Sequence, residues 1–438
     1  MAKALKRASG LEPSVRDLDI SPSASRLINS LRDVGYSFET AVADVLDNSI
    51  SAGATNIGIW MNFKPNDSYL LVVDDGDGMH RDRLAEALRF GSRRSYGPDQ
   101  LGKFGLGLKT GSLSQCRRLT LLSRAGETAT SPLALTLDLD EVERTDTWTA
   151  VEPENSAAIE HAETLLGDGP GTVVIWENLD RVLPDQFAYS AWGRRRIQRH
   201  AETTTEHLAM VFHRFLSGSH DARKVNISVN GESVIPWDPF ALDEPETIST
   251  GRDIMQLEVR SGVGNVALTG YVLPPRDRFS SPEAFERLSG PLKWNRQQGL
   301  YFYRGNRLVQ CGGWSGIRGI DEHTKLARAS VDFEPELDEV FQVNIAKMSV
   351  ALPSVLKKMA ERPIQDLCAV ADETYREASR ERAVQREKAD YRSDNIGLRD
   401  VGVALKAALL ETTGVEEFRP VLDRLKERNP ELGDRLGL

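Results

Sequence analysis

The sequence predicts an α+β fold, with helices on a mixed sheet, then a smaller α/β domain and a helical C-terminal tail. Three observations support this fold class. Between residues 25 and 215, helical patterns with apolar residues three or four apart alternate with short β-branched runs typical of strands. After residue 219 strand-like runs dominate, and after residue 353 charged helical patterns dominate. The 438 residues suit two or three domains.

The domain boundaries are placed where these patterns change. We expect an N-terminal arm at 1–22, a first domain at 23–218, a second domain at 219–355 and a helical region at 356–438. The helical patterns of the first domain are "SRLINSLRDVGYSFETAVADVLDN", "RDRLAEALRF", "LKTGSLSQC" and "HLAMVFHRFLSG". Its strand patterns are "ATNIGIWMNF", "YLLVVDDG", "RLTLLSR", "LALTLDL" and "GTVVIWENL". The second domain opens with "KVNISVNGESV", a hairpin candidate, and continues with the strand patterns "NVALTGYVLP" and "GLYFYRGNRLV".

The composition argues against several classes of protein. No run approaches the ~20 apolar residues of a membrane span. The basic start, "MAKALKRASGLEPS", lacks the apolar core of a signal peptide. Three widely spaced cysteines fit neither a zinc site nor a disulfide framework, which favours a cytoplasmic location. A net charge of −10 disfavours general coating of nucleic acid but is compatible with a local basic groove.

A glycine cluster, "LGKFGLGLKTGS" at residues 101–112, combines four glycines with two lysines and so suggests phosphate binding. A Walker loop does not fit, because Leu108 separates Gly107 from Lys109. A dinucleotide-binding fingerprint does not fit either, because the cluster does not lie in the first turn of a βαβ unit. Taken alone, the cluster favours a plain flexible loop over a phosphate site.

Two acidic motifs precede the glycine cluster. In "DVLDNSISAGA", Asp44 and Asn48 are four residues apart and share one helical face. A carboxylate there can deprotonate a water, and an amide oxygen can bind Mg²⁺. In "VVDDGDGM", a strand ends at Asp74, whose carboxylate can accept a hydrogen bond from the adenine amino group, while Gly76 and Gly78 admit the ring. The alternatives are an exposed helix face and a simple acidic turn.

The order of these motifs resembles that of the GHKL (Bergerat-fold) ATPases, which include gyrase B, the ninety-kilodalton heat-shock chaperones, histidine kinases and MutL. "DVLDNS" is similar to their N box, "DDGDG" to the DxGxG adenine box and "GKFGLG" to the GxxGxG lid box. "GTVVIWENL" is similar to a fourth element, in which a threonine supports the adenine aspartate through water. The resemblance covers residues 20–215.

The resemblance implies ATP and Mg²⁺ as cofactors. Asp74 then binds adenine together with Thr172, Asn48 holds the metal ion, and the glycine cluster with its lysines surrounds the phosphates. The implied cofactor-binding residues are Asn48, Asp74, Gly76, Gly78, Met79, Gly102, Lys103, Phe104, Gly105, Leu106, Gly107, Lys109 and Thr172.

Asp44 falls where the family usually has a glutamate as general base. Because aspartate is one methylene shorter, the water must sit differently, and we expect slow hydrolysis to ADP and phosphate. Glu39 is an unsuitable substitute, since five residues along a helix rotate a side chain away by about 140°.

The second domain resembles the transducer of MORC-type ATPases, because "GLYFYRGNRLVQCGGW" is similar to their strand-turn-strand core. A transducer contributes a lysine that senses the γ-phosphate. Lys347, in "FQVNIAKMSVALP", is our choice for that catalytic lysine, and Lys325 is the second candidate. An ordinary surface lysine is the alternative for both.

The chain as a whole resembles compact prokaryotic MORC- or MutL-type ATPases. This implies a homodimer that forms on ATP binding and acts as a clamp or switch on DNA without sequence specificity. It also implies a defence or DNA-repair role, with nuclease or helicase partners from the same operon. "WGRRRIQRH" supplies a candidate phosphate-contacting patch or an ordinary basic helix end. A chaperone-like ATPase acting on proteins and an ATP-gated assembly switch with little hydrolysis are the alternatives.

Overall fold

Two mixed sheets organise the chain in the computed structural model. The structure describes residues 22–65, 67–91, 107–126, 131–184, 190–259, 262–343, 349–412 and 415–437. The first sheet has the strand order β4-β3-β5-β2-β1-β6-β7, and the second has the order β11-β10-β12-β9-β8. The predicted fold class is confirmed, whereas the domain boundaries stay a prediction.

The first sheet is antiparallel except where β1 pairs in parallel with β6. Its strands are β1 Asn56–Asn62, β2 Tyr69–Asp74, β3 Arg118–Arg124, β4 Leu133–Asp138, β5 Gly171–Glu177, β6 Asn226–Val229 and β7 Glu232–Ser233. β6 and β7 form the hairpin predicted in "KVNISVNGESV", and its turn residues Asn230 and Gly231 both have positive φ, at 51° and 86°. This hairpin extends the first sheet.

Helices cover both faces of the first sheet. They are α1 Ala24–Arg32, α2 Phe38–Ser51, α3 Arg81–Leu88, α4 Gly107–Leu113, α5 Leu139–Thr145, α6 Ala157–Leu166, α7 Ala191–Val211 and α8 His213–Ser217. α2 packs between α4 and α7 over one face, and α6 covers β2, β3 and β5 on the other. Because α2 is enclosed by α4, α7 and the sheet, most of its side chains are buried.

The single helix expected from "SRLINSLRDVGYSFETAVADVLDN" is wrong in one respect. The chain breaks between α1 and α2, where Gly35 has a φ of +88° that side chains with a Cβ rarely adopt. The Ser37 side chain then accepts a hydrogen bond from the Thr40 amide and caps α2. The break fixes the start of α2 and therefore the direction in which its polar side chains point.

The second sheet packs against one long helix. Its strands are β8 Ile248–Val259, β9 Gly262–Val272, β10 Gly299–Arg304, β11 Arg307–Cys311 and β12 Ala327–Phe333. The remaining helices are α9 Pro282–Leu288, α10 Lys293–Gln297, α11 Ser354–Thr412, α12 Val415–Arg428 and α13 Pro430–Arg435. α11 has 59 residues and a length of about 90 Å. Its first part buries Leu356, Ala360, Ile364 and Leu367 in the core of this sheet. Among the described residues, no helix is long and apolar enough to cross a membrane.

Candidate active site

α2 provides the floor of the candidate site. Asp44 is only 1% exposed, whereas Asn48, one turn later, is exposed within an otherwise buried stretch. The Asn48 side-chain nitrogen donates a hydrogen bond to the Asp44 carbonyl oxygen at 2.9 Å. Since the nitrogen is used in this way, the amide oxygen of Asn48 is left to accept a ligand or bind a cation.

Asp74 is the last residue of β2 and is 6% exposed. Its carboxylate accepts hydrogen bonds from the Ser49 hydroxyl at 2.7 Å and from the Gly76 amide at 3.0 Å. Burial raises the pKa of Asp74, and hydrogen bonds from Ser49 and from the backbone of Gly76 and Thr172 oppose that rise. Because Ser49 follows Asn48, the Ser49–Asp74 bond joins the two acidic motifs in one site.

The loop after β2 approaches β3 closely. Gly78 has a φ of +67°, and a Cβ at this position would lie 1.8 Å from the Arg124 carbonyl oxygen. A side chain at residue 78 would therefore force the backbone apart. The next residue, Met79, donates its amide to the Ser123 hydroxyl at 2.9 Å. Gly78 thus lets the backbone that follows Asp74 pass close to the end of β3.

Thr172 lies opposite Asp74 in the pairing of β2 with β5. Its hydroxyl hydrogen-bonds with the Ser123 hydroxyl at 2.9 Å. The structure therefore places Thr172, Ser123 and the loop at Met79 around the buried carboxylate. Ser49 and Ser123 were missed by the sequence analysis, although Ser49 lies inside the quoted motif "DVLDNS".

Asp44 is surrounded by groups from three parts of the chain. The Tyr36 hydroxyl donates to Asp44 Oδ2 at 2.8 Å, and burial raises the pKa of Tyr36. Arg307 Nη2 lies 3.9 Å from Asp44 Oδ1. A Cβ added to Gly107 would lie 2.8 Å from Asp44 Oδ2, so a larger residue there would press on the carboxylate. The sequence analysis assigned roles to Asp44 and Gly107 but missed Tyr36 and Arg307.

Lys109 is buried, and its ammonium donates a hydrogen bond to the Ala87 carbonyl at the end of α3 at 2.9 Å. Burial lowers the pKa of Lys109 to about 8, and the charge of Glu86 acts in the opposite direction. The structure thus places Lys109 beside the end of α3, in the helix that begins at Gly107.

Several predicted residues lie outside the described part of the chain. These are Gly102, Lys103, Phe104, Gly105, Leu106 and the sensor candidate Lys347. The other sensor candidate, Lys325, pairs with Glu322 and lies 5.0 Å from the Tyr375 ring centroid on α11. The described contacts of Lys325 are therefore with its neighbour in sequence and with α11, which packs on the second sheet.

Metal binding by this site depends on few protein ligands. Among the described residues, no group of three or more His, Cys, Asp or Glu side chains could hold a metal ion. Mg²⁺ in nucleotide sites commonly takes one or two protein ligands together with phosphate oxygens and water. The exposed Asn48, with its nitrogen already engaged, fits that arrangement.

Comparison with known proteins agrees with this geometry. Residues 36–172 match the family model of histidine kinase-, DNA gyrase B- and HSP90-like ATPases. Residues 36–172 are therefore similar to the ATP-binding domain of the GHKL ATPases. The matched segment runs from Tyr36 through Asp44, Asn48 and Asp74 to Thr172, and the family implies that ATP is the nucleotide.

MORC ATPases are among the similar proteins. ATPase morc-1 of Caenorhabditis elegans is 33% identical over 87 residues, which cover 19% of this chain and 10% of morc-1. ATPase MORC2A of Mus musculus and ATPase MORC2 of Homo sapiens are each 32% identical over 95 residues, covering 20% of this chain and 9% of each relative. The chain matches about a tenth of the length of these relatives, so the likeness to MORC ATPases is local.

Proposed function

We propose that this GHKL ATPase binds ATP with Mg²⁺ at the site on α2 and β2 and hydrolyses it slowly to ADP and phosphate. The observation that carries the proposal is the 2.7 Å hydrogen bond between Ser49 and Asp74. It links the helix that bears Asp44 and Asn48 to the strand end that bears Asp74. A base, a metal ligand and an adenine-binding carboxylate thereby face one site.

Asp74 accepts the adenine amino group in this proposal. Each of its oxygens already accepts one protein hydrogen bond, and a carboxylate oxygen can accept another. The backbone at Gly76, Gly78 and Met79 lines the adenine pocket, and Thr172 supports the carboxylate from the neighbouring strand. A hydrogen bond from the neutral adenine amino group to the carboxylate of Asp74 favours adenine over bases that lack an amino group.

Asp44 is the general base, and it takes the proton of the water that attacks the γ-phosphate. Mg²⁺ on Asn48 neutralises phosphate charge when it is bound. Residues 102–107, which include Lys103, Phe104 and Leu106, bind the phosphates in this proposal, and Lys347 senses the γ-phosphate. The short aspartate and its burial both favour slow turnover.

Lys109 is the second cation for the phosphates, and its pKa gives a test. Because phosphate oxygens favour the charged amine, bound ATP keeps Lys109 protonated to a higher pH than the free protein does. ATP affinity is therefore expected to be full below about pH 8 and to fall above it, by up to about tenfold per pH unit. Titrations of a fluorescent ATP analogue between about pH 6.5 and about pH 9.5 measure this dependence.

Two variants complete the Lys109 measurement. Lys109→Met should bind ATP more weakly and lose the pH dependence, whereas Lys64→Met, at an exposed lysine on the far end of β1, should keep both properties of the wild type. Affinity of the wild type that does not change across pH 8 would remove Lys109 from the phosphate site.

For the wider function, we propose that ATP closes a homodimer that acts as a clamp or switch on DNA. Arg194, Arg195 and Arg199 are exposed on α7 and form the candidate patch for DNA phosphates. Arg196 is partly used within the protein, because its Nε donates to the Val182 carbonyl at 2.6 Å. Operon-encoded nuclease or helicase partners, a defence or DNA-repair role and a cytoplasmic location belong to the same proposal.

Light scattering tests the clamp directly. We expect a change in mass from monomer to dimer with ATP or a non-hydrolysable analogue, and no dimer without nucleotide. DNA binding should be strengthened by nucleotide, weaken with rising salt, and weaken in an Arg195→Glu/Arg199→Glu variant. A mass that does not respond to nucleotide would rule out the dimer clamp.

The ATP-gated assembly switch is the second candidate, and the environment of Asp44 favours it. A base that is 1% exposed and already hydrogen-bonded to Tyr36 is suited to slow turnover. Nucleotide-dependent dimerisation with undetectable phosphate release would support the switch, whereas turnover that depends on Asp44 would support the hydrolytic clamp.

A further inference from the structure

A hairpin of the second sheet contacts α2, the helix that carries Asp44. β10 and β11 are joined by Gly305 and Asn306, whose φ values of 52° and 68° are typical of a type I′ turn. The register of this hairpin pairs Arg304 with Arg307, one on each side of the turn. The two arginines are thus equivalent in position.

Their partners differ. Arg304 donates two hydrogen bonds to Asp338, at 2.7 and 2.9 Å, and Asp338 lies in the segment that follows β12. Arg307 instead donates from Nε to Asp47 Oδ1 at 2.9 Å and places Nη2 at 3.9 Å from Asp44 Oδ1. Asp47 and Asp44 are both on α2, one turn apart. Arg307 therefore connects the second sheet to the helix that carries the base.

Burial makes this connection important. Asp44, Asp47 and Arg307 are 1%, 0% and 2% exposed. Carboxylates at such depth depend on their charged and hydrogen-bonding partners, and the loss of a charged partner removes part of that stabilisation. If Arg307 were withdrawn, the two carboxylates would repel each other more strongly, and the carboxylate of the base would be displaced.

The β10–β11 hairpin also contacts α8. The Tyr303 hydroxyl hydrogen-bonds with His213 Nε2 on α8 at 2.8 Å. Arg214, also on α8, donates to Asn306 Oδ1 at 3.2 Å and stacks on the Tyr303 ring at 3.5 Å. Arg307 thus cannot move relative to α2 unless the contacts of the hairpin with α8 change as well.

We propose that Arg307 is a positioning residue for the general base and that the β10–β11 hairpin couples the second sheet to ATP hydrolysis through it. The proposal rests on the proposed function, because it takes Asp44 as the base. Movement of the second sheet would be transmitted to α2 as a change in the distance between Arg307 and Asp44. The hairpin would then adjust hydrolysis without touching the nucleotide.

The test compares two arginines of matched position and burial. In the full-length chain, Arg307→Gln is expected to lower kcat by about tenfold or more, within the about 10²–10⁴-fold that a general base supplies. The affinity for ATP should stay close to that of the wild type. Arg307→Lys keeps the positive charge but loses the planar guanidinium with its several donors. Its kcat should therefore lie between that of the wild type and that of Arg307→Gln. Arg304→Gln should lose thermal stability but keep kcat when assayed below its unfolding midpoint.

A double variant separates positioning from stability. Adding Arg307→Gln to Asp44→Asn should not lower kcat further, because a positioning residue has no effect when the base is absent. The inference is overturned if Arg307→Gln and Arg307→Lys both keep the wild-type kcat, or if Arg304→Gln lowers kcat as much as Arg307→Gln does. Should Arg307→Gln not fold, the Arg307→Lys measurement decides. The assignment of Asp44 as the general base fails separately, if Asp44→Asn hydrolyses ATP at the wild-type rate.

Discussion

Asp44→Asn is expected to lower kcat about 10²–10⁴-fold, the usual contribution of a general base, while ATP binding changes little. Asparagine keeps the shape of the side chain and can still accept the hydrogen bond from Tyr36, but it cannot take a proton from water. Arg307 keeps Asp47 as an ion-pair partner at 2.9 Å, so the variant is expected to fold. Phosphate release and binding of a fluorescent ATP analogue, both measured near neutral pH, give the two quantities.

Glu39→Gln is the matched control for this prediction, since Glu39 is a carboxylate on the same helix. Its carboxylate accepts a hydrogen bond from Thr203 at 2.9 Å and lies 3.5 Å from His200, and the His200 contact leads the effects that lower its pKa to about 2. Because that pKa lies below the ordinary 4.5, Glu39 stabilises the fold fully above about pH 4.5, and this stabilisation is lost as the pH falls toward 2.

Glu39→Gln should therefore lose some stability at neutral pH and keep the wild-type kcat when assayed below its unfolding midpoint. Equal phosphate release by Asp44→Asn and the wild type, or loss of kcat confined to Glu39→Gln, would contradict the assignment of Asp44 as the base.

The local elements of the site could be predicted from the sequence, because their patterns are short-range. Strands that end in Asp-Asp-Gly and helices with Asp and Asn four residues apart can be recognised in a window of about ten residues. The structure accordingly places Asp44, Asn48, Asp74 and Thr172 on the elements that the sequence indicated. Their catalytic and binding roles stay predictions.

The contacts that hold these residues together could not be predicted in the same way. Arg307 and Asp47 are 260 residues apart in sequence, and no periodic pattern links a hairpin arginine to a helix carboxylate. For Lys109, the glycine-rich surroundings suggested a phosphate-binding lysine. The structure adds that Lys109 is buried and donates a hydrogen bond to the Ala87 carbonyl, because α4 packs against α2. Its role at the phosphates stays a prediction.

The environment of Asp44 also depends on residues that are distant from it in the sequence. The sequence analysis judged Asp44 by its length alone, as one methylene shorter than glutamate. The structure adds that Tyr36 and Arg307 approach the two carboxylate oxygens from different elements. Hydrolysis by this ATPase is therefore expected to depend on the position of the second sheet as well as on the identity of the base.

Asp74→Asn is expected to lower ATP affinity by about 10- to 150-fold, because a hydrogen bond to a charged group contributes about 1.5–3 kcal/mol. The asparagine nitrogen would also face the adenine amino group whenever the amide is turned toward it. Inosine triphosphate has an oxygen in place of that amino group, so its binding should change little or improve. Competition titrations with both nucleotides measure the ratio of their affinities.

The decisive quantity is the preference for ATP over inosine triphosphate. It should be large in the wild type, nearly absent in Asp74→Asn, and unchanged in Asp77→Asn, which alters an exposed acidic residue of the same loop. If Asp74→Asn weakened both nucleotides equally, the buried carboxylate would act on the shape of the pocket and not on the adenine edge. Asp74→Asn removes the charged acceptor at the end of β2. If the preference for ATP over inosine triphosphate survives in this variant, another part of the protein recognises the adenine amino group.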